Sequence, residues 1–340
     1  MNKTLYRIRL TVLGSIIACV MSFAASASAQ TAVTLPPNLK ALPATNLSLV
    51  ADTVLGTSTL RFSTTSWNSG TGALQLEAGG TDTGSGKQQV FQRIFLSDGS
   101  SVLNFAGWFE WHPAHNHFHF DDYALYTLQP VNAPGGSLRT GSKTTFCVMD
   151  TTAVNLSLPG APQIKVYNTC GNTIQGMSIG WGDTYGSHLA GQEIDFTDNA
   201  NGTYQLKIEI DPKTVLVEGT RSDNVSCVLL SIKKPSTVSV LDSSGSCTTV
   251  QSITPNTASM GTSVQVTITG FGLAADMPVS FEGGNGPRPV ASNVQLAATD
   301  GTSITATVTV PLKRQLGKNP VWDVRVGTGG VLPNAFTVTR

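Results

Sequence analysis

"TYQLKIEID", residues 203–211, sets Tyr204, Leu206, Ile208 and Ile210 against Gln205, Lys207 and Glu209 in strict alternation. A period of two puts one set on each face of an extended strand, one face packed and the other wet. The same texture runs outward in both directions: "NLSLVADTVLG" (46–56), "STLRFSTTSWNS" (58–69), "GALQLEAGG" (72–80), "KQQVFQRIFLS" (87–97), "YALYTLQPV" (123–131), "TTFCVMDTT" (144–152) and "CVLLSIKK" (227–234). Each run is short, β-branched or alternating, and bounded by Gly, Ser and Asn clusters. No stretch after the N-terminus holds a helical stripe with caps. The expected fold class is therefore all-β, a sandwich-like domain over 46–248 preceded by a Pro-rich linker at 30–45, "QTAVTLPPNLKALPAT".

From Val250 the composition shifts. "VQSITPNTASMGTSVQVTITGFGL" (250–273), "MPVSFEGG", "TSITATVTVPL", "VWDVRVGTGG" and "NAFTVTR" carry neither His nor Cys and follow the spacing of a seven-strand sandwich. Over 250–340 they resemble the TIG-type immunoglobulin-like module, which implies a structural or adhesive role.

At the other end, "MNKTLYRIR" is basic, an apolar run follows from Leu10 to about Phe23, and Ala27-Ser28-Ala29 offers a cleavage site. Residues 1–29 read as a secretory signal peptide, with Cys19 in "IIAC" as an alternative lipid-attachment point. The expected location is secreted or periplasmic. No later run is apolar for the length of a transmembrane helix. Twenty-one basic residues balance twenty-one acidic ones, and only 12% of the chain is charged, so electrostatic capture of nucleic acid is not indicated. After the leader, Cys147, Cys170, Cys227 and Cys247 remain. An even set in an exported chain favours disulfides; of the three possible pairings, 147 with 170 and 227 with 247 close the shortest loops.

"WHPAHNHFHF", residues 111–120, holds four of the five histidines. If His115, His117 and His119 share a strand, their spacing by two sends three imidazoles to one side, where they can converge on one ion. His112 has the opposite parity and stands behind Pro113, which suits a supporting position rather than the same row. Three neutral nitrogens suit zinc, copper, iron or nickel, and spacing alone leaves the metal open.

Read more widely, "GWFEWHPAHNHFHFDDYALY" (107–126) resembles the copper-binding signature of the lysyl oxidase family, W-x-W-H followed by H-x-H-x-H. "GSKTTFCVMDT" (141–151) is similar to that family's lysine-bearing segment. "GDTYG" (182–186), followed by "EIDFTDNANGTYQLKIEIDP" (193–212), is similar to its tyrosine-bearing segment. The resemblance implies Cu(II) held by His115, His117 and His119, and a lysine tyrosylquinone cofactor made from Lys143 and Tyr185 as the catalytic pair. The implied activity is oxidation of peptidyl lysine or other primary amines by oxygen to aldehydes, with ammonia and hydrogen peroxide as co-products.

Several positions depart from that pattern. Ala114 and Trp181 stand where animal members have cysteines. The family histidine proposed as base aligns near Leu125, which leaves Asp121, Asp122, Asp183 and His188 as candidates. A calcium site is implied by Glu218, Asp223 and Asn224, although Thr220 replaces a carboxylate there. Two other function classes share parts of the pattern: a three-histidine zinc or iron enzyme on a β-scaffold, and a non-catalytic protein bound to a cell surface or polymer through the C-terminal module.

Overall fold

The computed structural model describes residues 31–82, 84–113, 116–299 and 301–340. The expected leader at 1–29, with Cys19, lies outside the described residues, as do Ala114 and His115. Val33–Arg340 form one compact unit. Its described residues contain strands, turns and irregular segments and no helix.

Three sheets surround the first hydrophobic core. One orders Ile174–Met177, Leu74–Thr81, Gln88–Leu96, Ser101–His112 and His117–Phe120. A second orders Arg139–Thr140, Ala124–Asn132, Gly202–Ile210, Val225–Lys233 and Thr237–Gly245. The third is built on the long strand Thr57–Asn68, which pairs with Trp181–Tyr185, Glu193–Asp195, Leu39–Ala41 and Thr45–Asp52. The quoted strand behaves as its period demands: Tyr204, Leu206, Ile208 and Ile210 are buried in the core. Phe62, Phe109, Phe120, Tyr126 and Phe146 are also fully buried there, each stabilising the fold by about 1.5–3 kcal/mol in transfer terms.

Of the expected linker, residues 34–41 are paired into the sheets. Thr34–Leu35 pairs with the end of Gln88–Leu96, Leu39–Ala41 pairs with Thr57–Asn68, and Leu39 is fully buried. Pro36 and Pro37 lack N–H groups, so they sit between two short edge strands. Their carbonyls still accept from Thr71, Gly72 and Gly219.

The C-terminal strands enclose a separate core around Val266, Ile304, Phe281, Val324 and Phe336. Eight strands, rather than seven, form two four-stranded sheets. Pro255 divides the opening run into Thr249–Thr254 and Thr257–Ser259. The second piece crosses to the other sheet and pairs in parallel with Val331–Thr339.

Both expected disulfides are present. Cys147 bonds Cys170 with Cα atoms 5.4 Å apart, and Cys227 bonds Cys247 at 4.9 Å. Loops of this size give each bridge about 3 kcal/mol through restriction of the unfolded chain.

Candidate active site

Ser101–His112 and His117–Phe120 form a hairpin whose register pairs Phe109 with Phe120, Glu110 with His119, Trp111 with Phe118 and His112 with His117. Directly opposed residues share a face. Phe109 and Phe120 stack edge to face in the core, and on the same face Trp111, which is exposed, meets half-buried Phe118 edge to face. His112, His117 and His119 occupy the opposite face, with ring centroids 4.7 Å apart for His112 and His119 and 4.8 Å for His117 and His119. This corrects the parity expectation for His112. Counting by two holds only within one continuous strand, and here the strand begins at His117, after Asn116 at φ 54°. The reversal returns His112 to the histidine face.

His117 Nε2 and His119 Nε2 lie 2.9 Å apart. Two imidazole nitrogens bound to one ion at about 2.0–2.1 Å, roughly 90° apart, have this separation. His119 is buried, and its Nδ1 meets the Thr145 hydroxyl at 3.1 Å, which directs Nε2 toward His117. The donor pair fits a metal. Among the described residues no set of three or more His, Cys, Asp or Glu side chains is gathered for an ion; the third expected donor, His115, lies outside them.

The segment carrying Lys143 is laid across this hairpin by backbone bonds. Phe146 and Phe120 exchange N–H···O bonds of 3.0 and 2.7 Å, and Tyr123 N–H donates to Thr144 O at 2.9 Å. Tyr185 arrives from the third sheet, where it pairs with Thr64. Its hydroxyl donates to Cys147 O at 2.8 Å, and its ring meets Phe146 edge to face at 4.9 Å. The Cys147–Cys170 bridge therefore holds the strand that orients Tyr185. Lys143 Nζ stands 5.4 Å from the Tyr185 ring centroid and 4.9 Å from that of Phe146. A cavity of about 260 Å³ is bordered by His117, Lys143, Cys147, Cys170, Tyr185 and Leu189, and a second, of about 300 Å³, lies against His112 and Lys143.

Gly191 at φ 80° is a structural requirement of this arrangement. A Cβ there would lie 2.8 Å from the Lys143 side chain, so only glycine leaves the lysine its place. Burial lowers the Lys143 pKa from the usual lysine value, against the pull of Asp183. Burial, helped by the Asp183 charge, raises that of the Tyr185 phenol.

Of the four candidate bases, only Asp183 borders a cavity with Tyr185. Asp121 is held by Lys87 at 2.6 Å, Asp122 turns the chain at φ 51°, and His188 is exposed. Sequence reasoning passed over Thr145, Phe146 and Gly191, whose roles depend on contacts across strands.

Of the residues expected to hold calcium, Glu218 is engaged by N–H donors. Glu218 Oε1 accepts from Asn224 Nδ2 at 2.8 Å and from Arg221 at 3.2 Å, and its Oε2 accepts from Leu39 N–H at 2.8 Å. The same guanidinium holds buried Asp211 at 2.7 Å, while Asp223 pairs with Lys40 at 3.2 Å. N–H donors thus occupy both Glu218 oxygens, while Asp223 Oδ1 and Asn224 Oδ1 have no partner among the described residues. Adding or chelating calcium is expected to move the melting temperature by less than about 1 °C. Arg221→Met should cost about 2 kcal/mol in denaturant unfolding by leaving Asp211 and Glu218 uncompensated. Calcium-dependent stabilisation of the unmodified chain would refute the assignment.

Residues 99–240 match the lysyl oxidase family model. Over 117 residues the chain is 35% identical to human lysyl oxidase homolog 1, covering 34% of this chain and 19% of that protein. It is 33% identical to human protein-lysine 6-oxidase, covering 34% of this chain and 26% of the other. The matched length is thus about a fifth to a quarter of these relatives. The family match begins after four long strands of the first unit are already laid down, and His117, His119, Lys143 and Tyr185 all fall within it.

Proposed function

We propose that this chain is a copper-dependent quinone amine oxidase that converts peptidyl lysine or other primary amines to aldehydes, releasing ammonia and hydrogen peroxide. The observation that carries the reading is the approach of Lys143 Nζ to the Tyr185 ring, 5.4 Å from its centroid, on a cavity that His117 also borders. His115, His117 and His119 would hold the copper. Copper with oxygen would supply the oxidation of the Tyr185 ring to a quinone, and the quinone the electron sink for amine oxidation.

The chain's own residues prepare that chemistry. The Tyr185–Cys147 hydrogen bond and the Phe146 ring fix the plane of the tyrosine. Burial favours the neutral, nucleophilic form of the Lys143 amine. Thr145, two residues along, holds His119, so the lysine and the metal face are tied to one short segment. Leu189 and Ala190 border the cavity with apolar surface, which suits the methylene stem of a lysine or alkyl amine. Two disulfides support an oxidising compartment, and no helix among the described residues is long and apolar enough to cross a membrane. Residues 46–248 would be the catalytic domain, and 250–340 a TIG-like immunoglobulin module.

Mass spectrometry of a digest of the copper-loaded, aerated protein tests the reading. A peptide joining Lys143 to Tyr185, trapped as a phenylhydrazine adduct, is expected. Separate, unmodified Lys143 and Tyr185 peptides after copper loading would overturn it.

A further inference from the structure

Residues 186–192 join the strand that carries Tyr185 to Glu193–Asp195, and Leu189 and Ala190 form one wall of the Lys143–Tyr185 cavity. The opposite walls are fixed. Cys147 and Cys170 are joined covalently, and the Tyr185 hydroxyl is bonded to Cys147 O. The loop is tied at its two ends to the long strand Thr57–Asn68. Ser187 N–H donates to Ser63 Oγ at 2.8 Å, and Phe62 N–H donates to Gln192 O at 3.2 Å. Between these ties His188, Leu189 and Ala190 are exposed.

Arg61 reaches that exposed stretch from the same strand, where it pairs in register with Glu193. Its Nε donates to Ser187 O at 2.7 Å, its Nη2 to Leu189 O at 2.8 Å and its Nη1 to Glu193 Oε2 at 2.5 Å. A guanidinium presents its donors in a rigid planar fork, so one side chain sets the three acceptors relative to one another. Charge pairing would need the Glu193 contact alone. The two captured carbonyls do something else: they fix the path of 187–189. That path places Leu189 on the cavity and brings Gly191 against the Lys143 stem, where an added Cβ would come within 2.8 Å. Arg61 lies outside residues 99–240, so the family match does not include it.

We propose that Arg61 is a positioning residue that determines specificity: by holding the Ser187 and Leu189 carbonyls it makes the loop a rigid wall, and the cavity takes a narrow, unbranched primary amine in preference to a wide one. The preference among amines rests on the amine oxidase reading; the rigid wall does not. A wall that yields accommodates a wide stem, whereas a fixed one rejects it by clash.

Two measurements test this. In the copper-free chain, modification of Lys143 by trinitrobenzenesulfonate, read by mass spectrometry of a digest, reports access to the cavity without turnover. Arg61→Met should speed it about tenfold, as the loss of charge-assisted hydrogen bonds implies. Arg61→Lys still pairs with Glu193 but has no fork, so it should also speed the modification, and it carries the test if Arg61→Met does not fold. Glu193→Gln leaves both carbonyls held and should match the parent. In the copper-loaded chain, pentylamine and cyclohexylmethylamine present the same CH2–NH2 group on stems of different width. Per phenylhydrazine-reactive site, the parent should favour pentylamine in kcat/KM, and Arg61→Met should reduce that preference about tenfold while kcat for pentylamine stays within about threefold. Equal modification of Lys143 in the parent and both Arg61 variants, or an unchanged preference between the two amines, would overturn the proposal. A parent that oxidises neither amine would overturn the amine oxidase reading instead, and the modification of Lys143 would still decide whether Arg61 holds the wall.

Discussion

Lys143→Arg is expected to lower amine-dependent peroxide release on the order of a thousandfold or more, with copper content unchanged and the melting temperature within about 2 °C of the parent. The argument begins with protonation. To add to an oxidised Tyr185 ring, the side chain at 143 must present a lone pair. The lysine amine reaches that form because partial burial among Phe146 and Tyr185 lowers its pKa, more strongly than Asp183 raises it. An arginine in the same place stays protonated under all ordinary conditions. It would keep the cation over the aromatic rings while withholding the nucleophile. Lys143→Met supplies the complementary control: it keeps the apolar stem and removes the charge. Both variants should lack the crosslinked peptide and the phenylhydrazine adduct. Peroxide release at the parental rate in both would show that Lys143 plays no part in the chemistry, and would turn the site toward a metal-only reaction.

What the sequence showed of this site, and what it concealed, follows from the range of each signal. Alternation is local, so "TYQLKIEID" announces its own strand and its buried face without help from the rest of the chain. The disulfides were legible because the expected export, an even count and short loops all agree. The histidine row was legible as a metal signal but not as a shape. Parity placed His112 away from His117, whereas antiparallel pairing of Ser101–His112 with His117–Phe120 sets them opposite each other in register. Pro36 and Pro37 suggested a linker because proline interrupts strands, yet their carbonyls stitch the segment into the core. Arg221 is the clearest case of a distant effect. Glu218, Asp223 and Asn224 spell a cation site, and only the folded chain shows that the Arg221 guanidinium reaches one of them, Glu218, together with Asp211.

Asp183→Asn is expected to flatten the pH dependence of stability and to make the protein more stable than its parent at mildly alkaline pH. Asp183 is 3% exposed and sits two residues before Tyr185 on the same strand. Its Oδ1 takes a long hydrogen bond of 3.4 Å from Thr151, and its Oδ2 has no partner among the described residues. Beside it, with Tyr123, Tyr126 and Tyr185, lies a cavity of about 10 Å³, room for about one water. Burial raises the carboxyl well above its ordinary range, against the backbone bond from Met149, the Thr151 hydroxyl and the Lys143 charge. Folding thus favours the protonated acid. The stability this contributes is whole below about pH 4, the unfolded value. It is lost as pH rises toward the folded value, at about 1.4 kcal/mol for each pH unit between the two. Asparagine is nearly isosteric with the protonated acid and has no proton to lose, so the variant escapes this decline. Denaturant unfolding from about pH 5 to 8 should show the parent falling relative to the variant, with the two curves closest at the acid end. Parallel curves would mean that Asp183 is ionised in the fold at every pH tested, and that the carboxylate rather than the acid neighbours Tyr185. A falling parental curve beside a flat variant would place a neutral acid there, leaving the neighbouring tyrosine free of a like charge when its ring is oxidised.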